Sequence, residues 1–281
     1  MQTPPLKIGD FQIHWLNGGH CRLDGGSMFG AVPKVLWEKK CPADAANTIP
    51  ISNDALLVRT PDHNIIIDTG LGNKLTEKQQ VIFQVTPWLL LSELEELGLS
   101  PGDIDSVILT HCDFDHAGGV VMHDEAGREK LSFPKGIHYI QQSEWEDVEQ
   151  PCKRAQSTYL PENFRLLKKE GRIELIDGAH EICPGIRLRH TGGHTRGHQL
   201  VEIQSKGESA VHLGDLFPTR FHTNPLWIMA YDNFPLEVIE CKEEYFGHYL
   251  QKDSWFTFYH DLQVKACKLD DQGAIRKTWP A

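Results

Sequence analysis

The sequence predicts an α/β protein folded as one domain over residues 1–281. Three observations carry that expectation: short apolar runs bounded by turn residues, an amphipathic helical stretch that feeds directly into a strand, and no composition break or low-complexity linker. With 40% hydrophobic and 24% charged residues in 281, the chain can bury a full core. Phe11, Ile13 and Trp15 alternate with polar neighbours as a half-buried strand does. Residues 55–58 (ALLV), a TPDHN turn at 60–64 and residues 65–67 (III) read as a hairpin with a buried arm. The glycine-rich stop Asp68-Thr69-Gly70-Leu71-Gly72 closes it. From Trp88 to Gly98 the apolar spacing, through Leu90, Leu91, Leu94 and Leu97, is helical, with Gly98 as the stop. Strands are then expected at 106–109, 137–140, 173–176, 186–189, 200–203, 210–213 and 255–259, with a short helix at 143–148.

Composition excludes several classes of function. The balance of 28 Lys+Arg against 39 Asp+Glu gives a formal charge of −11, and no basic cluster offers a nucleic acid its phosphate contacts. No stretch approaches the roughly 18 consecutive apolar residues that a membrane span needs. The N-terminal MQTPPLKIGD lacks the charged-then-apolar pattern of a secretory leader, so a cytoplasmic protein is the expectation. Seven cysteines, an odd number, lie far apart without a CxxC pair, which argues against a disulfide framework or a cysteine-held zinc.

The densest chemistry follows the strand at 106–109, in the turn Thr110-His111-Cys112-Asp113-Phe114-Asp115-His116-Ala117-Gly118-Gly119. His111, Asp113, Asp115 and His116 offer nitrogen and oxygen donors suited to borderline or hard divalent cations, and the glycines let the backbone fold tightly around an ion. Cys112 alternates away from these groups. Three sparser signals come later, each weak alone: His194 and His198 in the glycine-rich TGGHTRGH turn, Asp215 after a buried strand in HLGD, and His260 after the aromatic strand.

Taken in this order, the motifs resemble the metallo-β-lactamase superfamily, whose pattern is HxHxDH, a GH with a second GH behind it, a GD aspartate and a late histidine. The resemblance runs from Asp68 to His260. It implies a four-layer αββα sandwich with two divalent metal ions at one edge, zinc above all. By that resemblance His111 and His194 would hold the first metal, Asp115, His116 and His260 the second, and Asp215 would bridge them. Asp115 would also orient a metal-bridging hydroxide and pass its proton on, with His198 and Asp68 supporting the ligands.

One position departs from the pattern, because Asp113 stands where most members carry a histidine. With Asp113, Asp115 and Asp215 ionised, three carboxylates and a hydroxide cancel two divalent cations, whereas a histidine would leave the site at +1. The less positive site favours harder ions, so manganese or iron competes better with zinc. Flavodiiron members carry a glutamate at this position and bind iron, but they also need a flavodoxin domain for which this chain has no room.

The segment LDGGSMFGAVPK at 23–34, with Trp37 beyond it, resembles the leading segment of the branch holding acyl-homoserine lactone hydrolases and methyl-parathion-type hydrolases. In that branch residues 1–50 would lie near the site mouth or a homodimer contact. Met28, Phe29 and Trp37 are candidate contacts to an acyl chain, though core packing explains them equally well. The expectation is a hydrolase of a small-molecule lactone or ester. A phosphotriester hydrolase, a glyoxalase II-like thioesterase, a nuclease and a non-catalytic binding member disabled by Asp113 remain alternatives.

Overall fold

Two seven-stranded sheets face each other in the computed structural model of the chain, which describes residues 4–280. The first three residues of the N-terminal stretch and Ala281, the last of the one-domain range, lie outside the described residues. The first sheet runs Leu6–Ile8, Phe11–Leu16, Ala55–Arg59, Asn64–Ile67, Ser106–Ile108, Ile137–Gln141, Ile173–Ile176 across its width. Its first four strands pair antiparallel, and from Asn64–Ile67 onward the pairing is parallel. The second sheet runs Ala179–Cys183, Ile186–His190, Gln199–Ser205, Glu208–His212, Trp255–Thr257, Ala266–Leu269, Ile275–Trp279.

Strand alternation sorts the side chains into layers. Leu56, Val58, Ile65, Ile67 and Ile108 point between the sheets, where they meet Leu188, Val201 and Ile203. Their neighbours Ala55, Leu57, Ile66 and Val107 point the other way, onto Leu90 and Leu94 of the helix Leu90–Glu96 and Trp145 of the helix Gln142–Glu149. On the far side Leu200, Val211 and Phe256 of the second sheet meet Val238 and Tyr249 of the helix Pro235–Gln251. The layers are therefore αββα. Burial on both faces is why residues 55–58 and 65–67 read as continuous apolar runs rather than alternating ones.

The helix 90–96 ends as its sequence implies, with Gly98 at φ +77° just beyond it. The longest helix, the 17-residue Pro235–Gln251, carries no clear sequence signal, because its buried face is only Val238, Lys242 and Tyr249 and a lysine interrupts the apolar stripe. Residues 4–50 divide between two sheets. The strands Leu6–Ile8 and Phe11–Leu16 are built into the first sheet, whereas His20–Asp24 pairs with Thr48–Ser52 in a small separate sheet.

The sandwich brings one set of strand ends together. Asp68 follows Asn64–Ile67, the 110–119 turn follows Ser106–Ile108, Asp215 follows Glu208–His212 and His260 follows Trp255–Thr257. These are the carboxyl ends of strands with parallel neighbours, the edge at which open α/β sheets leave a crevice.

Candidate metal centre

Asp68 organises the start of the dense motif. It sits at φ +57°, a backbone conformation that costs a non-glycine residue about 1–3 kcal/mol, and its carboxylate is wholly buried. Thr110 donates to it twice, from N–H to Oδ1 and from Oγ1 to Oδ2, both at 2.8 Å, and His116 Nδ1 lies 2.9 Å from Oδ2. Cys112 turns into the apolar layer between sheet and helices, as alternation implies. Asp113 precedes the single-turn helix Phe114–Ala117 without capping it, so its carboxylate is left to the histidines.

His111 Nε2 and His194 Nε2 each stand 3.6 Å from Asp113 Oδ2. His116 Nε2 and His260 Nε2 are 3.2 Å apart, and Asp215 Oδ1 lies 3.4 Å and 3.2 Å from them. Asp115 Oδ2 completes this second group at 4.0 Å and 3.8 Å from the same two nitrogens. Asp215 turns its other oxygen to the first group, 3.4 Å from His194 Nε2. Donors held about 2.0–2.2 Å from a tetrahedral ion are about 3.4 Å from one another, so these spacings suit divalent metals.

The outer nitrogens support the same reading. Each Nδ1 is engaged: His111 with Thr110 Oγ1 at 3.0 Å, His116 with Asp68, His194 with Asp232 Oδ1 at 2.8 Å, and His260 with the Ser52 carbonyl at 2.8 Å. Every Nε2 is thereby aimed inward. His111 Nε2, His194 Nε2 and Asp215 Oδ1 are buried and have no hydrogen-bond partner among the described residues, a costly arrangement unless a cation takes them up.

Charge is balanced unevenly across the cluster. Burial, then the neighbouring His116 and His194, holds His111 well below the usual imidazole range. Burial works the same way on His116, but Asp215, Asp68 and Asp115 outweigh it and raise that imidazole well above its ordinary value. For Asp215 burial is overcome by His260, His116 and His194, which hold the carboxyl well below the carboxylate range. Burial raises Asp115.

His198 is not aimed inward. Its Nδ1 lies 2.6 Å from Thr191 Oγ1, and its Nε2 accepts from the Asp215 backbone N–H at 3.2 Å, so it fixes the position of Asp215. Only glycine fits before that aspartate, since a Cβ on Gly214 would stand 2.6 Å from His198 Nε2. The sequence reading passes over Tyr259, Asp232 and Glu144. Tyr259 stacks on His116 at 4.2 Å and donates to the Asp115 carbonyl at 2.8 Å. These three stand outside any repeated motif; only the contacts reveal them.

Above the cluster opens a cavity of about 460 Å³, with Asp113, Asp115, His194, Asp215 and His260 on its floor. Met28 lines it, with Leu23, Phe83, Phe114, Met229 and Tyr231. Phe29 and Trp37, the other two candidate contacts to an acyl chain, are not among its lining residues. They stack on each other at 5.1 Å and are fully buried, with His222 on the other side of Phe29 at 5.0 Å. The pull of their large apolar surfaces into the core beneath the wall outweighs any place at the mouth.

An αββα sandwich with clustered histidines and aspartates at one edge defines a class of metal-dependent hydrolases. The chain belongs to the metallo-beta-lactamase superfamily, whose family model matches residues 49–256. It is 23% identical to an N-acyl homoserine lactonase of a Bacillus species over 275 residues, 92% of this chain and 96% of the relative. A probable metal-dependent hydrolase from Staphylococcus aureus has a similar structure, with a TM-score of 0.92 and 42% identity, covering 97% of this chain and 98% of that one. AidC, a dizinc quorum-quenching lactonase solved with a product, superimposes with a TM-score of 0.79 at 19% identity over 100% of this chain and 97% of its own, a likeness of fold. Among the described residues no helix is long and apolar enough to cross a membrane.

Proposed function

We propose that the protein hydrolyses a neutral small molecule, a lactone or carboxylic ester of the acyl-homoserine lactone kind, at a centre holding two divalent metal ions. The observation that carries this reading is the cavity above the His/Asp cluster. Its wall is largely apolar, and its one cationic side chain, Arg154, is tied to the carbonyls of Ala230 and Asp232. Apart from the metal ions, an anionic substrate would find no unengaged cation among the lining residues, whereas a neutral acyl chain would find Leu23, Met28, Phe83 and Met229. The lactonase relatives point the same way.

In this reading His111, Asp113 and His194 would hold the first ion and Asp115, His116 and His260 the second, with Asp215 shared between the two groups. Zinc is the expected metal, with manganese or iron favoured more than usual by Asp113. Bound cations supply Lewis acidity to the scissile carbonyl and make a hydroxide available at neutral pH. Asp115 holds the proton released on attack and returns it to the leaving oxygen. The Tyr259 hydroxyl does not compete for that carboxylate, because it donates to the Asp115 backbone carbonyl instead. Asp68, Asp232 and the Ser52 carbonyl keep three imidazoles oriented through their Nδ1 atoms.

The test is a hydrolysis panel on zinc, manganese and iron forms, with short- and long-chain acyl lactones, an activated ester and a phosphotriester. Lactone opening that is lost on chelation and restored by metal is expected. Turnover confined to the phosphotriester, or absent throughout, would overturn the reading.

A further inference from the structure

We propose that Glu144 is a positioning residue that clamps the two loops of the first metal group at a fixed separation. The inference rests on the two-metal reading above. Glu144 lies in the helix Gln142–Glu149, outside every motif, yet its carboxylate is buried and accepts four hydrogen bonds. Oε1 takes the Cys112 backbone N–H at 2.8 Å and the Tyr159 hydroxyl at 2.8 Å. Oε2 takes the Thr195 hydroxyl at 2.7 Å and the Gly197 backbone N–H at 3.1 Å.

The donors come from three separate stretches. Cys112 stands between His111 and Asp113, and Thr195 directly follows His194, so both loops that supply the first group are pinned to one carboxylate. The approach is close enough that a Cβ on Gly197 would stand 2.2 Å from the Glu144 backbone nitrogen, which accounts for the glycine in TRGH. Tyr159 brings in the cavity wall, since it follows Ser157 and Thr158, both of which line the cavity. Asp115, His116 and His260 receive no hydrogen bond from Glu144. An uncompensated carboxylate would not be kept so deep in the protein, and the four donors offset much of the cost of its burial.

This geometry separates the two metals experimentally. Glu144→Gln keeps the shape but puts an NH₂ where a carboxylate oxygen stood. In either amide orientation that group faces a backbone N–H, of Cys112 or of Gly197, which cannot become an acceptor. Zinc binding to the apoprotein, measured by competition with a chromophoric chelator, is expected to show one of two sites weakened by about 10- to 100-fold and the other within about twofold of wild type. Tyr159→Phe releases only the wall: both zinc affinities stay unchanged while KM rises and kcat holds.

Glu144→Gln with both affinities at wild-type values, or with both weakened equally, overturns the proposal. Should that variant fail to fold, Thr195→Val decides, with a smaller loss at the same single site expected and no loss overturning it. A wild-type chain that takes up fewer than two metals overturns the underlying metal reading instead, so the two failures are distinguishable.

Discussion

The floor and the wall of the cavity are built on different physical principles. On the floor each imidazole is fixed by a directional bond to its outer nitrogen, Asp215 is placed through its backbone by His198, and Asp68 anchors the turn that begins the motif. On the wall Leu23, Met28, Phe83, Phe114 and Met229 present apolar surface, and two of them, Phe83 and Phe114, stack at 5.5 Å. Directional bonds demand particular residue types at particular spacings, whereas packing demands only volume. The floor therefore dictates the class of reaction, and the wall, assembled from segments as far apart as residues 23 and 233, dictates which substrate enters.

The largest effect should come from the floor. Asp115→Asn is expected to lower kcat by about 10²–10⁴-fold, the usual worth of a positioned acid–base group, with an unchanged circular dichroism spectrum. More than a tenth of the wild-type kcat would remove Asp115 from proton transfer. Next comes Asp113→His, which removes one negative charge from the site. Competition titrations should show the preference for zinc over manganese rising by about tenfold; an unmoved preference would mean that the Asp113 charge does not tune the metal.

That contrast also explains what could be read from the sequence. His111, Asp113, Asp115 and His116 fall within six residues because one tight turn must present them together, and such density is visible without a fold. The hairpin at 55–67 and the helix at 90–96 were equally legible, since each is a local pattern with turn chemistry at its end. Asp232 and Glu144 were not legible. Asp232 reaches His194 across 38 residues and Glu144 reaches Gly197 across 53, and each is a single carboxylate among 39. For Phe29 and Trp37 the sequence leaves contact and core packing open, because apolar residues near a site read alike whether they line it or sit beneath it.

A wall residue should change selectivity more than rate. Phe83→Ala, at the end of the exposed helix Glu77–Phe83, removes aromatic surface from the cavity without touching the floor. KM for a long-chain acyl lactone should rise about tenfold, equivalent to about 1.4 kcal/mol of lost contact, while KM for a short-chain one and both kcat values hold. Equal effects on the two chain lengths would place the acyl chain elsewhere.

The smallest effect concerns Lys242, which supports the wall from behind. Its side chain is fully buried in the helix Pro235–Gln251, donates to the Trp227 carbonyl at 2.6 Å and lies 5.1 Å from the Phe217 ring. Burial pushes the ammonium down to about 7 from its ordinary 10.5, in spite of the attraction of Asp232. The unfolded chain keeps that proton up to about 10.5 and the folded chain only to about 7, so unfolding takes up a proton between these pH values. Raising the pH through this window thus favours the folded wild type, and below about 7 its burden of a buried charge is fully present. Lys242→Met carries no such burden. The melting temperature of the wild type relative to that variant should climb between pH 6 and pH 9 by at least about 3 °C, about 1 kcal/mol for a chain of this size. A difference that stays flat with pH would mean that the ammonium is hydrated, and that the wall around Trp227 and Asp232 is less tightly closed than the floor it covers.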